Sequence, residues 1–256
     1  MRFGVILGLA FFAGYLWSGQ FKTAYPKPED EGYQELGAGL MEDKFLEFLA
    51  QDLNQVIAIP TDVTIILGEC GTPNAFYDPD QKEITICYEL MDYFIQVFAE
   101  DAESDDEVGE AVVGATLFTF YHEVGHALVD VLDLPITGRE EDAVDQLSTI
   151  ILISLDEEEE ADGVGTNAIL SAAMWFYKES EQQADSFVDE LPFYGEHALS
   201  PTRFFNLICW TYGADPEMNT FIVDDGILPE ERAVQCPEEW DRFSKAWDSL
   251  LEKYFK

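Results

Sequence analysis

The sequence predicts a mostly helical α+β fold, and three observations lead to that class. Segments 61–70 and 83–90 are β-branched or alternating, and turn residues separate them. Most of the chain after them has helical periodicity. Hydrophobic residues make up 47% of the 256, enough for a substantial core. Two strands followed by many helices are typical of α+β domains.

The elements can be placed in order along the chain. Segment 39–57 has apolar residues at three- and four-residue spacing, which predicts an amphipathic helix. Segment 61–70 predicts a buried strand, Pro73 and Asn74 mark the turn after it, and 83–90 predicts a second strand. Helices are then predicted at 91–102, 108–133, 139–155, 166–183, 202–216 and 236–256, with an acidic segment at 156–165 and a loop at 187–201.

The N-terminus has the pattern of an export signal. One Arg precedes an apolar run from Phe3 to Trp17, which predicts a signal peptide over residues 1–20. The run is shorter than the roughly 20 residues of a membrane span, but no A-x-A cleavage site follows it, so an uncleaved N-terminal anchor is the alternative. Residues 21–38 are expected to form a linker and 39–256 a single domain. We therefore expect a secreted or periplasmic protein, or one tethered to the outer face of the membrane.

The charge balance excludes one class of partner. The chain has 52 acidic and 13 basic residues and a net charge of -39. Nucleic-acid binding needs a basic patch, and anionic lipid surfaces attract basic segments. No nucleic-acid partner is expected, and membrane contact only through an uncleaved anchor. The acidity indicates either a solvated surface that maintains solubility or attraction of cations and basic peptides.

The four cysteines predict two disulfides, because an even number in an exported chain favours pairing. Three pairings are formally possible. The expected one joins nearest neighbours, Cys70 with Cys87 and Cys209 with Cys236. The first bond would connect the ends of the two predicted strands. No C-x-x-C spacing is present, so a cysteine zinc site is not expected.

The predicted helix 108–133 contains the stretch TFYHEVGHALVDVLDLP, with two of the three histidines of the chain. His122 and His126 are four residues apart and lie on one helix face, where both can direct a ring nitrogen at one metal ion. Glu123 is turned about 100° from His122, beside the ion, where it can take a proton from a metal-bound water. The alternative is a pair of buried histidines hydrogen-bonded to their neighbours.

A third ligand is expected from the next helix, since a catalytic zinc has three protein ligands and one open position. That helix begins GREEDAVDQLS, with Glu141 and Asp145 four apart on one face. Glu141 is the expected ligand, and Asp145 is expected to hold the far nitrogen of a histidine. Glu140 is the alternative ligand and Asp142 a weaker one. Acidic residues also favour a first helical turn for dipole reasons alone.

These motifs resemble known families. HExxH followed by a helix with E-x-x-x-D resembles the gluzincin metallopeptidases. More narrowly, FYHEVGHALVDVLDLPITGREEDAVDQLS resembles a family of secreted bacterial proteins regarded as zinc metallopeptidases and catalogued as a domain of unknown function. The resemblance continues through EHALSPTRFFNLICWTYGADP and DGILPEERAVQCPEEWDRFSKAWDSLL, and so covers about residues 40–256.

The resemblance implies a zincin-like fold, with a small sheet packed on the HExxH helix, bound Zn2+, and a peptide or protein substrate. It also implies that strand 83–90 edges the cleft and pairs with an extended peptide. Glu141 follows His126 by only 15 residues, a shorter gap than in well-studied gluzincins, so the choice between Glu141 and Glu140 stays open.

The third histidine, His197, lies in YGEHALSP. Peptide hydrolysis passes through an oxyanion that needs a donor, and His197, Tyr194 and Arg203 are the candidates. An ordinary loop histidine is the alternative. The aromatic run Trp175–Tyr177 is expected in the core rather than on a substrate surface.

The expected function is zinc-dependent peptide-bond hydrolysis by a secreted or membrane-tethered metallopeptidase, with Glu123 as general base and His197 as a further catalytic group. The first alternative is an inactive zincin-like module that keeps the metal and binds a partner protein. The second is a structural protein without metal.

Overall fold

The sheet is small and is built from the N-terminal third of the chain. The computed structural model describes residues 17–156, 163–184, 191 and 193–256. The strands are β1 (Phe21–Ala24), β2 (Val63–Gly68), β3 (Ala75–Asp78) and β4 (Glu83–Cys87). They are ordered β1-β2-β4-β3; β1, β2 and β4 run parallel, and β3 is an antiparallel edge strand. Alternate side chains of β2 and β4 are fully buried, which fixes the register of the sheet on the core.

Ten helices are present in the described residues and form most of the fold. They are α1 (Glu31–Glu42), α2 (Phe45–Val56), α3 (Tyr88–Phe98), α4 (Asp105–Val131), α5 (Glu140–Leu155), α6 (Val164–Ala184), α7 (Ser200–Ala214), α8 (Phe221–Asp224), α9 (Glu230–Ala233) and α10 (Cys236–Leu251). Among the described helices, none is both long and apolar enough to span a bilayer.

Helix α4 is the centre of the molecule. It begins at the N-cap Ser104, whose side chain accepts a hydrogen bond from the Glu107 N–H, and its first turn carries three acids. It packs against α3, α5, α6 and the strands β3 and β4. Contacts on so many sides explain why its middle is apolar all round instead of having one apolar face.

Two glycines let neighbouring helices approach α4 closely. A Cβ atom at Gly125 would lie 2.7 Å from the Cβ of Val144 on α5. A Cβ at Gly114 would lie 2.7 Å from the Oγ of Ser171 on α6. The contact at Gly125 lies between the two histidines of α4 and the acidic start of α5, and so sets their separation.

Both disulfides join nearest-neighbour cysteines. Cys70 and Cys87 are bonded with their Cα atoms 5.6 Å apart, and Cys209 and Cys236 with theirs 5.2 Å apart. The first bond links the loop after β2 to the end of β4. The second links α7 to the start of α10.

The predicted fold class is confirmed: the protein is a mostly helical α+β domain whose small sheet packs on the HExxH helix. Two boundaries differ from the sequence analysis. The predicted helix 39–57 is divided between α1 and α2, because Lys44 adopts a left-handed conformation with φ 57°. The predicted strand 83–90 ends at Cys87, and α3 begins at once with Tyr88.

Regular structure also occurs in the predicted linker, residues 21–38, which contain β1 and most of α1. β1 depends on partners far along the chain: it pairs with β2, and the side chain of Asn54 binds both the N–H and the C=O of Phe21. A local pattern cannot report such contacts. Most of the predicted signal peptide, and parts of segments 156–165 and 187–201, lie outside the described residues.

Candidate metal centre

Helix α4 presents both motif histidines and the glutamate between them on the wall of a cleft. The ring centroids of His122 and His126 are 5.0 Å apart, as expected for residues one helical turn apart on one face. His122 and Glu123 are almost fully buried, with 4% and 7% of their surface exposed. Buried polar groups of this kind need partners, and those of His122 come from α5.

Glu141, in the first turn of α5, reaches the two imidazoles. Its Oε2 atom lies 3.1 Å from Nε2 of His122 and 3.4 Å from Nε2 of His126. One ligand atom from each of these three residues lies within 4.8 Å of the others, so all can contact one ion. The close contact at Gly125 brings Glu141 to this position.

Asp145 holds the other nitrogen of His122. Its Oδ1 lies 2.7 Å from Nδ1 of His122, and Arg203 of α7 donates two hydrogen bonds to the same carboxylate at 2.9 and 2.7 Å. Burial alone would raise the pKa of Asp145, but Arg203 and His122 outweigh it and hold that pKa well below its usual range. The ionised Asp145 holds a proton of His122 on Nδ1, so that Nε2, the ring atom nearest Glu141, is the nitrogen that a metal ion can bind.

Glu140 has the same relation to His126. Its Oε1 lies 2.7 Å from Nδ1 of His126, on the side of the ring away from Glu141. Each of the two histidines therefore has its own carboxylate at Nδ1, and both share Glu141 at Nε2. Glu140, the alternative ligand predicted from the sequence, lies at Nδ1 of His126 and not between the two Nε2 atoms. Asp142 is not a member of the candidate metal group, and burial raises its pKa.

His197 lies beside the same group. Its Nε2 is 2.8 Å from Oε2 of Glu141, and its ring stacks on that of His122 at 5.9 Å. About half of its side chain, 52%, is exposed. The other two proposed oxyanion donors are placed differently: Tyr194 is 94% exposed, and Arg203 is engaged with Asp145.

The donor set fits a divalent cation. Three imidazole Nε2 atoms surround one carboxylate oxygen, and two of those rings have a carboxylate on Nδ1. Without an ion, this arrangement attracts protons instead: burial lowers the pKa of His122, but Asp145 and Glu141 raise it to about 9. Two histidines and one glutamate, with further carboxylates that orient the rings, form a ligand set that catalytic metal sites use.

Glu123 lies in a largely buried position beside the two histidines. Burial raises its pKa, and the nearby His122 and His126 act in the opposite direction without cancelling the rise. A carboxylate whose pKa is moved toward neutrality accepts and returns a proton more effectively near neutral pH.

The cleft beside these residues has a volume of about 590 Å³. Its wall includes Ala75, Phe76 and Tyr77 of β3. The strand at the cleft is therefore β3, and not the predicted strand 83–90. Residues 83–87 of that segment form β4, which lies inside the sheet between β2 and β3. β3 was missed because turn residues surround its four positions, and only pairing with β4 specifies it.

Two features of the site have no signal in the local sequence. Arg203 serves as the partner of Asp145, 58 residues away, which no local spacing could indicate. Trp175 packs against the core, as expected, and also lines the cleft. Phe176 is buried as expected, and Tyr177 is 42% exposed.

Comparison with known proteins agrees with this geometry. Residues 25–251 match a family model described as "Putative metallopeptidase". The chain belongs to this family. Membership confirms the resemblance seen in the motifs, and the His122, His126 and Glu141 group is consistent with the metal site of a metallopeptidase. No curated protein and no solved structure matches the chain.

Proposed function

We propose that this chain is an exported zinc peptidase that hydrolyses peptide bonds in the cleft beside α4. The observation that carries the proposal is the convergence of His122, His126 and Glu141 next to the buried Glu123. When bound, Zn2+ supplies Lewis-acid activation of a water and of the scissile carbonyl.

The protein groups have distinct roles in this proposal. Glu123 accepts a proton as a water oxygen attacks the carbonyl carbon, and it returns that proton to the amine nitrogen as the carbon–nitrogen bond breaks. His197 donates an Nε2–H to the developing oxyanion. Asp145 and Glu140 fix the two ring orientations. The products are a free carboxylate and a free amine.

Export is proposed on two grounds. The sequence has an N-terminal signal pattern, and two disulfides are compatible with an oxidising compartment. Within this proposal, residues 1–20 are the signal peptide or anchor, and residues 21–256 belong to one zincin-like domain, because β1 and most of α1 lie within the predicted linker.

Metal analysis and peptide hydrolysis together test the function. We expect about one zinc per wild-type chain, lost in His126→Ala. Glu123→Gln is expected to retain the zinc and to lose hydrolysis of a mixed peptide library by a factor of about 1,000 or more. Glu110→Gln, an exposed change on the same helix, is the matched control and should behave as wild type.

The outcomes separate the rival functions. Zinc binding by a wild type that cleaves nothing, even at high enzyme concentration, would favour the inactive partner-binding module. A wild type that neither contains nor takes up zinc would leave a structural protein with buried histidines. A binding module has no requirement for Glu123, whereas a peptidase depends on it.

A further inference from the structure

Part of the cleft wall is mostly aromatic. One turn before His122 on α4, Phe118 lines the cleft, as do Leu90 and Tyr93 of α3 and Trp175 of α6. One helical turn corresponds to about 5.4 Å, so this region lies within one or two substrate residues of the metal group. We call it the Glu179 pocket, after the only charged residue among these walls: Leu90, Tyr93, Phe118, Trp175 and Glu179.

Among the described residues, Glu179 is a carboxylate with no cationic partner. It lies four residues after Trp175 on α6, so both side chains face the same side. Its oxygens accept hydrogen bonds from the hydroxyls of Tyr93, at 3.3 Å, and Ser200, at 3.0 Å. Neither donor is charged, and in the part of the chain that is described no Lys, Arg or His forms an ion pair with Glu179. Two hydroxyls therefore fix a negative charge against aromatic walls.

Four of the other carboxylates around the cleft have partners or lie at its rim, and the fifth, the buried Glu123, is the general base proposed for the cleft. Its lining has six carboxylates and one guanidinium. That guanidinium, Arg203, is bonded to Asp145. Asp130 accepts from Lys82 and Tyr77, both at 2.6 Å. Glu179 is thus the part-buried acid for which a bound substrate would have to supply the positive charge.

We propose that the Glu179 pocket is a specificity subsite for the basic side chain of a peptide substrate, with arginine preferred to lysine. This inference rests on the proposed peptidase function. Glu179 would accept hydrogen bonds from the guanidinium, and Tyr93 and Trp175 would contact its planar face. The protein already uses such a contact nearby: the guanidinium of Arg203 lies 4.0 Å from the ring centre of Phe176.

The test compares arginine with citrulline, which has the same shape without the charge. A set of fluorogenic octapeptides carries one arginine at each position in turn, and each has a citrulline twin. At one position near the scissile bond, we expect wild type to prefer arginine by about tenfold or more in kcat/KM. Glu179→Gln should bring that ratio close to one. Glu181→Gln, an exposed change on the same helix, should keep the wild-type ratio.

A binding measurement separates failure of the subsite from failure of the function. The same peptides are titrated onto the full chain carrying Glu123→Gln, by fluorescence anisotropy, with and without Glu179→Gln. Tighter binding of the arginine twin, lost when Glu179 is changed, supports the subsite even if no peptide is cleaved. Equal binding of both twins overturns it. Cleavage with the same arginine-to-citrulline ratio in wild type and Glu179→Gln also overturns the subsite and leaves the peptidase function standing.

Discussion

At the residue scale, the centre is organised by the carboxylates around its two motif histidines. Glu141 faces both Nε2 atoms, whereas Asp145 and Glu140 lie behind the rings on Nδ1. The two carboxylates at the Nδ1 atoms, Asp145 and Glu140, are not equivalent. Asp145 is 3% exposed and bonded to Arg203, while the side chain of Glu140 is 47% exposed. Their contributions to metal affinity should therefore differ.

Removing charge from the two neighbouring glutamates tests which one is the ligand. Glu141→Gln should weaken zinc binding by more than about 100-fold, because a ligand is lost. Glu140→Gln should weaken it by about tenfold or less, because only an exposed orienting contact is lost. Competition against a coloured zinc chelator measures both. A larger loss in Glu140→Gln than in Glu141→Gln would reverse the assignment.

The residues of this centre differ in how far the sequence could predict them. His122, Glu123 and His126 follow from helical spacing alone, and Glu141 and Asp145 from the same rule applied to the next helix. The position of Glu140 depends on the rotation of α5 against α4. The contacts of Arg203, Trp175 and Glu179 depend on packing between helices that are distant in sequence, which no periodicity encodes.

At the element scale, sequence patterns located the long helices but not the short or junctional elements. α4, α5 and α6 have enough turns for their composition to specify them. β3 has four residues and depends on β4, and β1 depends on β2 and Asn54. β3, and not the predicted strand 83–90, is the strand that borders the cleft.

The packing of α4 on α5 is the element contact that sets the geometry of the metal group. A Cβ at Gly125 would lie 2.7 Å from the Cβ of Val144. Gly125→Ala should therefore displace α5, lower the free energy of unfolding by about 1–3 kcal/mol and weaken zinc binding. Urea unfolding in the presence of a chelator measures the first effect, and the chelator competition the second.

Gly109→Ala is the matched control for that change. Gly109 lies on the same helix with nothing within 4 Å of an added Cβ, so alanine should stabilise the protein by up to about 1 kcal/mol through helix propensity. Adding Val144→Gly to Gly125→Ala should recover part of the lost zinc affinity, because it removes both the Cβ and the Cγ1 atoms that the added methyl group would meet. No effect of Gly125→Ala on zinc binding would mean that the position of Glu141 does not depend on this contact.

At the scale of the whole molecule, most charged residues are acidic, and most of the charged residues that line the cleft are acidic too. The sequence alone left two interpretations of the net charge of -39: a solvated surface, or attraction of cations and basic peptides. The excess of carboxylates in the cleft supports the second for the cleft itself. Composition could not decide this, because it does not report where the charges lie.

The negative electrostatic field produced by these carboxylates should affect substrate capture over a longer range than the Glu179 pocket does. At an ionic strength of about 0.01 M charges act over about 30 Å, and at about 1 M over about 3 Å. Raising the salt across that range should lower kcat/KM for a peptide with several arginines by about tenfold or more, mainly through slower association. The citrulline version of that peptide should change much less, and zinc content after the assay should be the same at both salts.

The same experiment on Glu179→Gln separates the effect of the overall negative charge from the effect of the Glu179 pocket. The variant removes one charge of many, so the salt dependence for the arginine-rich peptide should persist although the preference at the pocket position is lost. If the salt dependence disappears with Glu179, a single short-range ion pair accounts for both effects. If salt slows the citrulline and arginine peptides equally, the charge of the molecule has no part in substrate capture and serves solubility alone.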